Sequence, residues 1–226
     1  MATLKQRKVM SIPATTAPIQ SRLEEDRVAE LLDIAAEVFI AHGFEGASTT
    51  EIASRANSSK RTFYSRFPTK EKLFVAVLER RMDLIFSEVS TAMPISSPIE
   101  ETLKEYGSRL LRLALSEDQI ALLRVVSMES ARFPELGERF YELGPKRGLM
   151  YLGNYMEEQI KQGRLVKEDP ILMAEHFIGL LTSGPVRWVV LGLQRTPIAK
   201  GVKQRVEAAA RVFLRAYSAS SATVKV

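Results

Sequence analysis

The chain has 226 residues, enough to bury a sizeable hydrophobic core in one or two domains. Its formal charge is +5 and its pI is about 9.4, which suits a polyanionic partner. It has no cysteine, which excludes disulfides and thiolate zinc sites and agrees with a reducing compartment. No uncharged apolar run reaches the roughly 18 residues of a membrane span, and the start lacks the apolar core of a signal peptide. We therefore expect a cytoplasmic protein without a membrane partner.

Positive charge is concentrated in particular segments of the chain. Residues 1–22 carry four basic residues and no acidic one, whereas residues 23–51 carry one basic residue against eight acidic ones. Residues 52–72 carry six basic residues against one acidic residue. A polyanion such as DNA would therefore meet a local basic surface formed by residues 52–72.

The first predicted elements are an arm and a helix. Residues 1–22 mix Ser, Thr, Pro and basic residues with little periodicity, which predicts a flexible basic arm. From Glu24 onward apolar residues recur at helical spacing, and acidic residues in the first turn complement the helix dipole. Gly43 is predicted to end this helix, because glycine can take the left-handed conformation of a C-terminal cap.

Two short helices are predicted next. The hydroxyls of residues 48–50 can cap a helix that runs to Ala56, residues 57–59 form a turn, and residues 60–67 form the second helix. Phe63 and Phe67, four residues apart, lie on one face of the second helix and are predicted to be core residues. Two short helices joined by such a turn form the unit that places its second helix in the DNA major groove.

The rest of the chain is also predicted to be helical. Thr69 is the expected N-cap of a long fourth helix that runs through Ile85. Helical periodicity between breakers then predicts helices at 99–115, 118–132, 135–162, 169–191 and 199–217. No segment alternates like a strand, and residues 219–226 are expected to be a disordered tail. The sequence therefore predicts an all-α fold.

Residues 47–74 resemble the N-terminal DNA-binding domain of the TetR family of bacterial repressors. The matching features are AHGF at the end of the first helix, the Thr-Thr pair, IASRA, the Tyr before Arg-Phe, and KEKLF at the start of the fourth helix. One departure is Asn57-Ser58-Ser59, where the family often has glycine and a buried apolar residue. Residues 124–192 are similar to the C-terminal domain of AefR-like members. The resemblance implies a helix-turn-helix domain at 23–70 and a helical ligand-binding and dimerisation bundle at 71–218.

The resemblance also implies which residues contact DNA. The residues matching the family's DNA contacts, together with the outward-facing Ser59, are Thr49, Thr50, Ser59, Lys60, Arg61, Thr62, Tyr64 and Lys70. The two threonines can cap the second helix and touch phosphate, and residues 60–62 begin the recognition helix. Tyr64 is expected to stack on sugar or a thymine methyl group and to bond a phosphate. Lys70 lies at the start of the fourth helix, where free amides and the positive dipole end favour an anion.

Four residues on otherwise apolar helices are candidates for an effector site: Arg132, Asn154, His176 and Trp188. Binding pockets are mostly apolar with a few polar groups that fix the ligand, so the expected effector is a small apolar or aromatic molecule. Other interpretations stay open for each residue. His176 is equally explained as a hydrogen-bonded core residue, Trp188 as a core or interface residue, and Arg132 and Asn154 as solvated or structural residues.

The last two predicted helices carry apolar faces that are wide for a single core. Their apolar residues are Phe177, Leu180, Leu181, Trp188, Val202, Val206, Ala209, Ala210, Phe213 and Tyr217. These faces predict a homodimer built on a four-helix interface. A two-fold dimer would read a near-palindromic operator in double-stranded DNA.

An enzyme is the rival class of function. The chain has only two histidines, His42 and His176, no Gly-rich phosphate loop and no Glu-x-x-His pair. We therefore expect no enzymatic activity, no cofactor and no metal site. The sequence is best explained as a ligand-responsive transcriptional repressor. The alternative is a DNA-binding activator or architectural regulator without a small-molecule effector.

Overall fold

The computed structural model describes residues 19–91, 93, 95, 97–193 and 199–219; side chains are described from Arg22 onward, except at residues 199 and 200. Within these ranges the chain is almost wholly helical, with one isolated bridge between Leu165 and Ser218. The helices are α1 Ile19–Gly46, α2 Thr49–Arg55, α3 Lys60–Arg66, α4 Lys70–Ser90, α5 Ile99–Ala114, α6 Glu117–Glu129, α7 Pro134–Tyr141, a π-helical turn Glu142–Lys146, α8 Arg147–Lys161, α9 Pro170–Val190 and α10 Ala199–Tyr217. The predicted all-α fold is confirmed. None of the helices in the described ranges is long and apolar enough to cross a membrane.

The first helix differs from its prediction at both ends. It begins at Ile19, so the last residues of the segment predicted as an arm are helical, and residues 1–18 lie outside the described ranges. Gly43 interrupts the helix with a φ of 70°, as its predicted capping role requires, and one further turn reaches Gly46. At the other end of the chain, the Ala219 amide donates to the Arg164 carbonyl at 3.1 Å. Ala219, the first residue of the predicted tail, is thus bonded to the bundle, and residues 220–226 lie outside the described ranges.

The single helix predicted over residues 135–162 is wrong in one respect. The structure divides it into α7, the π-helical turn and α8, with Pro145 inside the turn. Proline has no amide hydrogen to donate, and its ring displaces the carbonyl of the preceding turn. A π-helical turn accommodates the extra width, as such turns commonly do inside longer helices.

Two hydrophobic cores organise the helices. The first joins α1–α4 to part of α6 and α7, and its centre is a cluster of Phe39, Phe44 and Phe74 with ring centroids 4.8 to 5.9 Å apart. The second joins the end of α4 to α5, α8, α9 and α10. Burying a phenylalanine side chain stabilises a fold by roughly 1.5–3 kcal/mol, so the three rings hold α1 firmly against α4.

Helix α4 belongs to both cores. Leu73, Phe74, Val77 and Leu78 are buried in the first core, whereas Val89 is buried in the second. A bidentate ion pair from Arg80 to Asp33, with N···O distances of 2.7 and 3.0 Å, also fastens α4 to α1. The N-terminal three helices are thus carried on one end of a helix whose other end lies in the bundle.

Candidate nucleic-acid interface

The two short helices are formed by well-placed caps. The Ser48 hydroxyl accepts from the Glu51 amide at 3.3 Å and begins α2, while the Ser59 hydroxyl accepts from the Thr62 amide at 3.1 Å and begins α3. Side-chain acceptors at these positions satisfy amides that have no partner within the helix. On the inner side Ile52, Ala53 and Phe63 are buried. The predicted core role of Phe63 and Phe67 is confirmed, and it fixes which face of α3 is outward.

The outward face of α3 is polar and exposed. It carries Lys60, Arg61, Thr62, Tyr64 and Ser65. The Tyr64 hydroxyl lies 2.9 Å from the Thr49 hydroxyl oxygen, and its ring packs edge-on against Phe63 with centroids 5.4 Å apart. These contacts hold Tyr64 in one orientation although 45% of it is exposed. Because its orientation is already fixed, the Tyr64 side chain would lose little further conformational entropy on contact with a DNA backbone.

The cations of the two helices fall into two groups. Arg55 pairs with Glu37, and Arg66 pairs with Glu24 at 2.8 Å, so each faces a carboxylate of α1. Lys60 and Arg61, by contrast, form no ion pair with any residue in the described ranges. Their charge is therefore available to phosphate oxygens or to base edges, where Arg and Lys are the usual readers of guanine.

Lys70 is committed elsewhere in this structure. Its Nζ donates to the carbonyls of Glu45 at 2.8 Å and Ala47 at 3.4 Å, and it lies 5.1 Å from the centroid of the Phe44 ring. Hydrogen bonds from its own amide and from Thr69 lower the pKa of Glu71, so a carboxylate already lies at the start of α4. In this structure Lys70 therefore caps the end of α1, and its predicted contact with an anion stays a prediction.

Two other predicted DNA contacts serve local structure first. The Ser59 hydroxyl caps α3 and lies 2.8 Å from the Thr62 hydroxyl oxygen. Thr49 bonds Tyr64, and Ser48 rather than either threonine caps α2. Thr50 is exposed beside them. In the turn between the helices, Asn57 takes a φ of 48°, the left-handed region that asparagine tolerates better than other side chains with a Cβ.

A cavity of about 460 Å³ lies inside the bundle. It is bounded by α4, α5, α6, α9 and the segment from α7 to α8. Its aromatic lining residues are Phe86, Tyr106, Phe140, Tyr141 and Tyr151. It is large enough for a small organic molecule and mostly apolar, as ligand sites usually are.

The four predicted effector residues do not line this cavity. Arg132 pairs with Glu45 at the end of α1, and Asn154 is exposed on α8. His176 is exposed and hydrogen-bonded through Nδ1 to the Tyr217 hydroxyl, and 43% of Trp188 is exposed. On α9 the cavity face is formed by residues 175, 178, 179, 182 and 186, so His176 and Trp188 lie off that face. The structure therefore does not bring these four residues together at the cavity, and their effector role stays a prediction.

The apolar residues predicted to form the dimer face are also placed differently. Phe177, Leu181, Val206, Ala210 and Phe213 are buried within the protomer, so most of the predicted face is its own core. Large apolar side chains that remain exposed on or just after α9 and on α10 are Leu172, Trp188, Leu191, Leu193 and Val212.

Comparison with known proteins agrees with this architecture. Residues 31–77 match the family profile described as bacterial regulatory proteins, tetR family. Residues 101–219, more than half of the chain, match the profile described as AefR-like transcriptional repressor, C-terminal domain. The chain belongs to the TetR family. It is a DNA-binding transcriptional regulator of that family, and the likeness inferred from residues 47–74 and 124–192 is confirmed.

Solved structures resemble this TetR-family protein along nearly their whole length. A TetR-family regulator from Mesorhizobium loti is 27% identical, with a TM-score of 0.77 over 86% of this chain and 98% of that one. The flavonoid-responsive regulator FrrA is 28% identical, with a TM-score of 0.72 over the same shares of the two chains. Among curated proteins, the transcriptional activator FasR of Mycolicibacterium smegmatis is 31% identical over 53% of this chain and 60% of its own length. The chain thus spans less than two thirds of FasR.

Proposed function

We propose that this TetR-family protein is a ligand-responsive repressor that binds a near-palindromic DNA operator as a homodimer. The observation that carries the proposal is the outward face of α3, where Lys60 and Arg61 have no acidic partner among the described residues and Tyr64 is held in place. In helix-turn-helix proteins the second helix enters the major groove, with its N-terminal residues at the base edges. A bacterial operator as partner also implies that the protein acts in the cytoplasm.

The contacts made by the recognition helix divide by chemistry. Arg61 and Lys60, at the start of α3, can donate to guanine or phosphate oxygens, whereas Tyr64, one turn on, suits the sugar-phosphate backbone. Thr50 is exposed on α2 and can donate to a second phosphate. Base contacts specify the sequence and phosphate contacts fix the register of the protein on the duplex.

A dimer is favoured by the exposed apolar side chains of the bundle. Trp188 and Leu191 lie on the side of α9 and of its C-terminal end that does not face the cavity, and Val212 lies on α10. Beside Val212, Ala208 is small and exposed, which allows close approach of a second helix. Burying these groups against their symmetry mates gives an isologous interface and presents two recognition helices to one face of DNA. Half-site centres about one helical turn apart, roughly 34–36 Å, are then expected.

Effector control is favoured by the position of the cavity. Met82, Ile85, Phe86 and Val89 of α4 line it, while the first turns of α4 are buried beneath α1–α3. Ion pairs from Arg139 to Glu79, at 2.7 Å, and from Arg147 to Asp83 fasten α4 to the segment around the π-helical turn. A small apolar or aromatic effector that separates these elements would tilt α4 and change the spacing of the two recognition helices. By thermodynamic linkage, the effector then weakens DNA binding by the same factor by which DNA weakens effector binding.

A DNA-binding activator or architectural regulator is the second candidate. FasR, which is 31% identical over about half of this chain, is named as an activator, and the nucleoid occlusion factor of Haemophilus influenzae is 21% identical over 77% of it. An effector-free regulator of this kind would make the cavity a packing defect. The observed cavity volume and its contact with α4 favour a ligand-controlled protein.

Selection of bound duplexes from a randomised DNA pool tests the proposal. The full-length protein should enrich a near-palindrome of two half-sites whose centres lie about one helical turn apart. The matched control is Lys60→Ala/Arg61→Ala, which should enrich no common sequence while retaining helicity by circular dichroism. Enrichment of the same site by the control, or failure of the parent protein to enrich any site, would count against the proposal.

A further inference from the structure

The wall of the cavity is nearly free of charged side chains. Of the side chains that line it, Glu175 is the only charged one, and no lysine or arginine of the described ranges is among them. Arg147 does not line the cavity: it pairs with Asp83, and its guanidinium carbon lies 3.8 Å from the centroid of the Phe86 ring. An anionic ligand would therefore lose its hydration and gain no cation in return. The cavity favours a neutral molecule.

One polar group in this wall has no partner. The Tyr106 hydroxyl is buried and makes no hydrogen bond with any residue in the described ranges. Burial raises the pKa of this phenol well above its usual value, so at neutral pH it keeps its proton and acts as a donor. Buried donors in folded proteins are nearly always paired, so a donor without a partner in a cavity wall points to an acceptor on the ligand.

Two other hydroxyls in the wall are already satisfied, and Tyr141, which also lines it, is 52% exposed. Tyr151 donates to the Ser90 carbonyl, and Thr182 donates to the Ile178 carbonyl at 2.8 Å. Tyr106 lines the cavity together with these groups, and a Cβ built on Gly148 would be 4.0 Å from its hydroxyl oxygen, an ordinary contact distance.

We propose that the cavity binds a neutral aromatic molecule whose carbonyl or phenol oxygen accepts the hydrogen bond of Tyr106. The aromatic rings of Phe86, Phe140 and Tyr151 supply stacking and edge contacts for the rest of the ligand. Carboxylates of the same shape are rejected, because Glu175 repels them and no cation neutralises them. This inference rests on the proposed role of the cavity as the effector site and names the chemistry of the effector.

The test is isothermal titration calorimetry of the full-length protein, without DNA, against unsubstituted flavone and a flavone carboxylate. Flavone is neutral, aromatic and carries one carbonyl acceptor. Wild-type protein should bind flavone at least tenfold more tightly than the carboxylate. Tyr106→Phe should weaken flavone binding about threefold to tenfold, the usual effect of one hydrogen bond to a neutral group.

The matched control is Tyr155→Phe, which removes a buried hydroxyl from a tyrosine that does not line the cavity. It should bind flavone like wild type. Absence of flavone binding, equal binding of the carboxylate, or equal affinities for wild type and Tyr106→Phe would each overturn the inference. So would an equal loss of affinity in both variants, since that would report a general change in the bundle. Operator binding is measured separately, so the proposed DNA-binding function can fail or hold independently of these outcomes.

Discussion

Filling the cavity from α9 should both stabilise the protein and remove the proposed effector site. Gly179 lies in the middle of α9 on the face that lines the cavity, and a Cβ built on it meets no atom within 4 Å. Gly179→Leu would place its side chain in this free space. Full burial of a leucine side chain stabilises by about 1.5–3 kcal/mol, and replacing glycine inside a helix adds about 0.5–1 kcal/mol. Because the cavity opens to solvent, the lower values apply and the expected gain is about 2 kcal/mol.

Gly179→Ala is the control, since it changes helix propensity but leaves most of the cavity empty. Urea denaturation followed by circular dichroism measures the free energy of unfolding of each protein. The alanine variant should be more stable than wild type by about 0.5–1 kcal/mol, and the leucine variant should be more stable than the alanine variant by about 1 kcal/mol. Flavone should bind the alanine variant and not the leucine variant. A leucine variant that is less stable than the alanine variant would show that the space is not available and would refute the reasoning.

Two further outcomes are expected from the packing of the helices. Arg80 lowers the pKa of Asp33, chiefly by hydrogen bonding, so this carboxylate contributes stability above its unfolded pKa of about 3.9, and the contribution is lost as the pH falls through the lower folded value. Asp33→Asn should lower the free energy of unfolding by about 1 kcal/mol at neutral pH, after allowance for solvent screening. In urea denaturation at stepped pH, the variant should lose less stability than wild type as the pH falls through this range. An equal loss of stability in the variant would exclude the ion pair as its source. Trp188→Glu places a charge on the proposed dimer face and should give monomers in sedimentation at micromolar concentration, whereas Asn154→Glu on α8 should stay dimeric; a dimeric Trp188→Glu protein would move the interface elsewhere.

The helix-turn-helix could be predicted closely because its signals are local. Hydroxyl caps, the turn and the i, i+4 pair Phe63 and Phe67 lie within one short stretch, and each fixes its neighbours. The role of Lys70 could not be derived in that way. Its partners are carbonyls more than 20 residues earlier, brought close only when α1 packs on α4. Pro145, in contrast, is a helix breaker that the sequence shows, and it indicates the break between α7 and α8 that helical periodicity alone does not.

The cavity proposed as the effector site could not be located from the sequence. His176 and Trp188 stand out in the sequence as rare residues on an apolar helix, but the cavity face of α9 is formed by residues 175, 178, 179, 182 and 186. A polar residue on such a helix marks an outward position as readily as a pocket. Tyr106 gave no such signal, because in the sequence it reads as a core aromatic on amphipathic α5. That its hydroxyl has no hydrogen-bond partner among the described residues is seen only in the folded structure, where α4, α8 and α9 pack around it.

The most direct test of the central claim is an operator titration of wild type and Lys60→Ala/Tyr64→Ala by fluorescence anisotropy at several salt concentrations. The double variant should lose operator binding while its helicity and melting temperature stay nearly unchanged, since each lost base contact costs ~1–3 kcal/mol in both halves of the dimer. Any residual binding should show a salt slope reduced by about one for each phosphate contact removed. Lys167→Ala, between α8 and α9, removes an equal charge from each protomer outside α1–α3 and should bind like wild type. A double variant that binds the operator as wild type does, with the same salt slope, would contradict the account.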